Sequence, residues 1–249
     1  EGWEYNPGFV ERTYRSCSDT GSSNTGDLCW AGQIVTVQLP GKQTALVRDD
    51  AIGVWKLQDD DGSKVELLTG ASNGTNNGEY WKVTDPHGVQ YFFGRNRLPG
   101  GSQSTDTKSV WTVPVFGANA GDPCHGATFA ASSCAQGWRW NLDYVVDPHG
   151  AAAAYYYAPE TGYYRAASGS TATGYVRGGT LDRIEYGFSD SANIYAATPA
   201  ARVRFSVAER CDTILLATCE TSTFNTANAS YWPDTPQSLD CAAGSTSCA

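Results

Sequence analysis

The sequence predicts an all-β fold of antiparallel hairpins in a twisted, curved sheet, with long loops pinned by disulfides. Three observations lead there: bulky β-formers alternate with polar residues, turn-forming dipeptides recur between the alternating runs, and helical periodicity is absent. Trp138, Trp140, Leu142, Tyr144 and Val146 alternate with Arg139, Asn141 and Asp143. A period of two assigns the first five to one buried face and the three polar residues to the opposite face. Asp61-Gly62, Asn73-Gly74, Asn77-Gly78, Pro99-Gly100-Gly101 and Gly178-Gly179 read as turns. Only Ala151 to Ala154 offer consecutive helix formers, and Tyr155, Tyr156 and Tyr157 return that segment to strand. The 27 Gly, 14 Tyr and 8 Trp suit an aromatic-packed, twisted sheet.

In chain order, strands over 54–57 and 64–68 flank Asp59, Asp60, Asp61 and Gly62. Strands over 81–84 and 89–93 flank Asp85-Pro86-His87-Gly88, and strands over 142–146 and 151–157 flank Asp147-Pro148-His149-Gly150, the same tetrapeptide 62 residues later. Each is a hairpin turn on chemical grounds. Pro presets φ at the corner, Gly accepts positive φ, and Asp bonds the turn amides, so His87 and His149 are expected at exposed structural tips. Arg202 and Arg204 alternate with Val203 and Phe205 in a further strand. Residues 18–30, 94–109, 117–137 and 211–249 are expected to be irregular. No linker divides the chain, so one all-β domain over 1–249 is expected.

The length of 249 residues allows a core that needs no outside help. Lys and Arg number 17 against 26 Asp and Glu, a net charge of -9, which argues against a nucleic-acid groove or an anionic-membrane surface. No stretch approaches the ~20 apolar residues of a membrane helix. With no Met and Glu at position 1, the chain is expected to be a processed or excised piece. Its eight cysteines fall into near neighbours, Cys17 with Cys29, Cys124 with Cys134, Cys211 with Cys219 and Cys241 with Cys248. None forms a C-x-x-C knuckle, so four short-loop disulfides in a secreted, extracellular protein are expected rather than a metal centre.

The strand–Asp-Pro-His-Gly–strand hairpins, the run from Trp138 through Arg139, Trp140, Asn141, Leu142 and Asp143 to Tyr144, and the strand Ala201-Arg202-Val203-Arg204-Phe205 resemble Rhs/YD-repeat proteins. The likeness is to the segment that precedes the repeats in large secreted actinobacterial members, and it is strongest from about Trp55 to Arg210. Relatives of that family include teneurins and insecticidal toxin-complex subunits. The resemblance implies β-hairpins added side by side into a hollow, YD-type shell associated with toxin delivery. The partners it implies are the remaining shell segments or a toxin cargo of the same polypeptide. Tandem, evenly spaced YD repeats are absent from this chain.

Catalytic readings are weaker. No G-x-S-x-G elbow or H-E-x-x-H helix is present, and His125 reads as a loop residue beside Cys124. Asp143, Asp182, Glu185 and Glu209 lie on expected strands and could supply the two carboxylates of a glycosidase, but polar-face charges are the commoner reason for such residues. Trp30, Trp111 and Trp232 could stack on a glycan ligand, but in an aromatic-rich sheet such residues are more often core or loop anchors. Asp59, Asp60, Asp61 and Asp190 offer oxygen ligands for calcium without the EF-hand spacing, so a solvated turn is favoured there. Asn73-Gly74-Thr75 and Asn228-Ala229-Ser230 match the N-glycosylation pattern and read as surface loops. The expectation is a secreted, non-catalytic structural or binding protein with no cofactor and no metal. The alternative is a carbohydrate-binding or carbohydrate-cleaving secreted protein.

Overall fold

The computed structural model describes residues 5–21, 26–100, 106–208, 210–212, 218–220, 224, 228–232 and 241–246. Fourteen strands join in one sheet. They are β1 (Phe9–Arg12), β2 (Arg15–Ser16), β3 (Leu28–Cys29), β4 (Val35–Leu39), β5 (Lys42–Asp49), β6 (Val54–Leu57), β7 (Lys64–Leu68), β8 (Tyr80–Thr84), β9 (Gln90–Phe93), β10 (Val110–Phe116), β11 (Ser133–Val146), β12 (Ala152–Tyr164), β13 (Thr173–Phe188) and β14 (Ala201–Arg204). The described residues contain no α-helix, only short 3₁₀ turns. All pairings are antiparallel except that of β10 with β3.

Consecutive hairpins from β4 to β9 form the wall of an antiparallel barrel. The chain start closes it: Val10 of β1 sits opposite Val37 of β4 on one side and Trp140 of β11 on the other. Alternate residues of every wall strand point inward, and Val10, Val37, Leu46, Trp55, Val65, Trp81, Val83, Phe93, Trp140 and Leu142 belong to one buried cluster. Trp81 packs edge-to-face on Trp55 and Trp140, with ring centroids 5.0 and 6.3 Å apart. Two glycines shape the slot for Trp140. A Cβ at Gly94, whose φ is +71°, would run into the indole Cδ1 and stand 2.8 Å from Cβ and Cγ, and one at Gly137 would meet the benzo edge.

The sheet branches at β11, which pairs with β1, β9, β10 and β12. β10 leads to β3 and β2, and β12 leads to β13 and β14. The expected single apolar face of β11 is corrected here. Register against β9 slips between Leu142 and Tyr144, which makes Asp143 a bulge residue. A one-residue bulge inverts the alternation beyond it. Trp140 and Leu142 therefore fill the barrel, while Tyr144 and Val146 belong to a second cluster with Leu98, Tyr156, Phe188 and Ile194. Val145, on the former polar side, packs against the barrel core. Asn141 and Asp143 are buried rather than solvated, because strands or loops cover both faces of β11.

Two further expectations change. Residues 133–137, expected in a loop, begin β11, and Gly178-Gly179, expected as a turn, lies inside β13. Gly179 is there for contact: a Cβ would stand 2.6 Å from the Ala158 carbonyl oxygen and 3.1 Å from the Trp111 ring. The disulfides Cys17–Cys29, Cys124–Cys134 and Cys211–Cys219 close loops of sequence separation 12, 10 and 8. Cys248, and with it the expected pair with Cys241, lies outside the described residues. Three disulfides are consistent with an extracellular protein. No helix of the described residues is long and apolar enough to cross a membrane.

Candidate functional site

The two Asp-Pro-His-Gly turns have one geometry. Gly88 N donates to Asp85 O at 2.9 Å and Gly150 N to Asp147 O at 3.0 Å, and both glycines have φ of +85°. Asp85 Oδ1 accepts from the amides of His87 and Val89 at 2.8 and 3.0 Å, and Asp147 Oδ1 accepts from those of His149 and Ala151, both at 2.8 Å. Because β9 pairs with β11 near Gln90 and Val146, the turns lie side by side. A Cβ on Gly88 would be 3.4 Å from Pro148, and one on Gly62 3.7 Å from Pro86. The tips thus form a ladder along one rim. Both histidines are exposed, and no trio of His, Cys, Asp or Glu converges on a metal position among the described residues.

The other candidate carboxylates are held by local partners. Asp60 Oδ1 accepts from Gly62 N at 2.9 Å, Asp61 Oδ1 from Ser63 N at 3.0 Å, Asp59 Oδ2 from Thr44 Oγ1 at 3.1 Å and Asp190 Oδ1 from Ala192 N at 2.9 Å. Asp182 and Glu185 share Arg183 at 2.9 and 3.1 Å, and Glu185 also receives Arg202 at 2.6 Å, which ties β14 to β13. Glu209 lies outside the described residues. Asp143 is fully enclosed. It accepts from Asn96 N at 2.7 Å and from the Thr107 hydroxyl, fastening the 94–109 loop onto the strand junction. Burial pushes its carboxyl up to about 6, against the opposing pull of hydrogen bonds from Thr107, Ser109 and the Asn96 amide. His125 Nδ1 lies 2.8 Å from Gly117 O, beside the Cys124–Cys134 bridge.

The three tryptophans do not form a glycan platform, in keeping with their reading as core or loop anchors. Trp111 and Trp232 are buried, the first against Trp138 at 5.4 Å and the second against Phe224 at 5.5 Å. Half-buried Trp30 lies over the Arg12 guanidinium at 5.1 Å. Asn73 is also unlike a glycan acceptor: it is buried, and its Nδ2 donates to Glu79 O and Gly94 O, both at 2.7 Å. Asn228 is half-buried beside a 3₁₀ turn.

Aromatic recesses exist elsewhere. Tyr5, Tyr91, Tyr155, Pro7 and Pro40 line a cleft of about 390 Å³ beside the Asp147 turn. Tyr14, Trp138, Tyr175, Arg12 and Arg177 line another of about 420 Å³ against the barrel. The sequence offers little warning of either, because each joins residues more than 100 positions apart. The single local hint is the cluster of tyrosines at 155–157.

No family model matches the chain, and no curated protein matches it. Among solved structures it is similar to the crystal structure of TcdB2-TccC3, at 16% identity and a TM-score of 0.41 over 84% of this chain and 10% of that one. It is also similar to the N-terminal domain of the effector protein SpvB from Salmonella typhimurium strain LT2, at 15% identity and a TM-score of 0.38, over 80% of this chain and 58% of that one. The chain thus spans about a tenth of the length of the first of these neighbours and a little over half of the second.

Proposed function

We propose that the chain is a non-catalytic structural and binding segment of a secreted Rhs/YD-type β-shell, folded as one domain over 1–249 and associated with toxin delivery or cell-surface interaction. The observation that carries this reading is the open end of the sheet. Among the described residues β14 pairs on one side only, with β13. Around it Tyr186, Val203 and Val207 are exposed, the last two at 42% and 69%. An edge of this kind takes up a further strand readily, and the occupant proposed is the remaining shell or cargo of the same polypeptide. Asp85 and Asp147 cap the turns that carry the two histidines, and Asp182 and Glu185 are engaged by Arg183 and Arg202 between strands. Hydrogen–deuterium exchange over 201–204 tests the reading. Slow exchange in the full natural polypeptide and fast exchange in the isolated 249-residue chain supports it. Equally fast exchange in both rejects it.

A second reading, carbohydrate binding, is favoured by the Tyr5–Tyr91–Tyr155 cleft, whose rings suit the apolar faces of sugars. Calorimetry with neutral oligosaccharides against wild type and Tyr91→Ala separates the two readings.

A further inference from the structure

The cavity of about 420 Å³ beside the barrel has walls of Arg12, Tyr14, Val113, Trp138, Tyr175 and Arg177. Arg12 is 2% exposed. Its guanidinium lies between the Trp30 and Trp140 rings, 5.1 and 5.0 Å from their centroids, and its Nη1 donates to Glu79 Oε2 at 2.7 Å. Nε and Nη2 are buried with no well-aligned acceptor among the described residues, although the Tyr14 hydroxyl interacts with the guanidinium. These two nitrogens form the side edge of the guanidinium, a pair of parallel N–H vectors that matches the two oxygens of a carboxylate. A buried charged group with donors unmet is costly, and an acceptor from the cavity would remove that cost.

The surrounding walls narrow the ligand class. Trp138 is held in place by its Nε1 donating to Val176 O at 2.8 Å, and Tyr175 packs edge-on against Tyr164. Two fixed aromatic walls suit the C–H face of a sugar ring. Glu79 already offsets much of the Arg12 charge, and Arg177 at the rim, 40% exposed, lies 3.4 Å from Glu160. That balance suits a singly charged, planar anion better than a phosphate dianion. The net charge of -9 gives an anion no long-range attraction, so recognition must be by contact.

We infer that this cavity binds a saccharide through a carboxylate-bearing ring, a hexuronic acid unit. The carboxylate sits on the Nε/Nη2 edge of Arg12 and the ring sits between Trp138 and Tyr175. With the cavity empty, that edge is shielded from bulk water. Tyr14, whose hydroxyl lies against the guanidinium and donates to Gly137 O at 2.6 Å, turns aside to admit the ligand. The inference is independent of the shell reading.

Titration of the whole chain with glucuronate, galacturonate and a hexuronate disaccharide, read by calorimetry and tryptophan fluorescence, tests it. Glucose, galactose and a short peptide with a free C-terminal carboxylate are the comparison ligands. A uronate should bind saturably and at least about tenfold more tightly than its neutral counterpart. Arg12→Lys keeps the charge but loses the fork, and should abolish that preference. Arg177→Gln alters the exposed rim and Leu28→Trp a half-buried residue of β3 that also lines the cavity, and circular dichroism verifies the fold of both. The first should weaken binding severalfold, and the second should block it by filling the cavity. Four results each overturn the inference: no saturable uronate binding up to about 10 mM, equal affinity for neutral sugar, unchanged affinity in Leu28→Trp, or tighter binding of the peptide.

Discussion

In the barrel, Val10, Trp81, Val83, Phe93 and Trp140 share an interior closed to solvent, whereas in the arm, formed by β12, β13 and β14, β13 buries only Glu185 and Phe188. The two regions belong to one sheet, yet they are stabilised by different means. Closure gives each inward side chain of the barrel neighbours on every side, so dispersion and apolar burial dominate there. The arm has covered and uncovered faces, and it depends more on charge and aromatic contacts. Arg183 stacks 3.5 Å above Tyr156, bonds Asp182 and Glu185, and Glu185 in turn holds Arg202. The Arg183–Asp182 pair is partly exposed and contributes little, while Glu185 is buried and depends on its two arginines. The barrel interior is closed, while much of β13 keeps part of its surface open to solvent.

The largest expected effect breaks the barrel. Trp140→Ala removes a fully buried indole between two glycines that cannot move in to fill the space, and should cost about 3–5 kcal/mol. Tyr163→Ala, on the half-buried part of β12, should cost less than about 1 kcal/mol. Urea unfolding of both proteins checks the contrast. Similar losses would mean that the arm is as well packed as the barrel.

Asp143 lies where the regions meet, and its effect depends on pH. Its folded pKa of about 6 is above the usual carboxylate value of 3.8, so the native state binds its proton more tightly than the unfolded state does. Stability from this group is therefore highest below about pH 4 and declines as pH rises towards 6, by up to roughly 3 kcal/mol. The hydrogen bonds from Thr107, Ser109 and Asn96 favour the carboxylate, and burial outweighs them. Asp143→Asn should flatten the slope between pH 4 and 7. A slope unchanged in the variant would place the titrating group elsewhere.

Much of the local structure was legible in the sequence for the reason these regions differ. Strands such as β6, β7 and β8 carry short alternating runs between turn signals, and they form where the alternation places them. The curvature that closes the barrel was not legible, because it depends on pairing residues 9–11 with 139–141, contacts that leave no local pattern. The bulge at Asp143 escaped for a related reason. Alternation read along one strand is blind to a neighbour that supplies one residue fewer, and the 94–109 loop that buries Asp143 has no periodicity of its own. Trp30, Trp111 and Trp232 were legible as core or loop anchors, but not their partners Tyr14, Trp138 and Phe224. Arg12 stands out in no sequence pattern, and only closure of the barrel places it between two indoles.

A smaller effect is expected at the rim where the turns line up. Asp85→Ala removes the acceptor for two amides while leaving Pro86 and Gly88 to shape the corner, and should cost about 1 kcal/mol. Asp147→Ala should cost a similar amount, since its two bonds have the same pattern. Thermal unfolding of each checks this, and a loss several times larger would mean that the rim supports the barrel rather than merely trimming it.

The smallest effect is expected at the far end of the arm. Val203 is 42% exposed on β14, and a lysine there can keep its stem on the strand while its charge reaches water, so Val203→Lys in the isolated chain should change stability by no more than about 0.5 kcal/mol. The same substitution distinguishes an edge that is merely open from one that is covered in use. Lysine on an edge strand opposes the addition of another strand. If the remainder of the polypeptide packs against β14, Val203→Lys should therefore weaken that association while leaving the isolated chain intact. Measuring unfolding of the isolated chain and proteolytic resistance of the full polypeptide, side by side, separates the two contributions. A loss in neither protein would leave the arm without the partner that its composition anticipates.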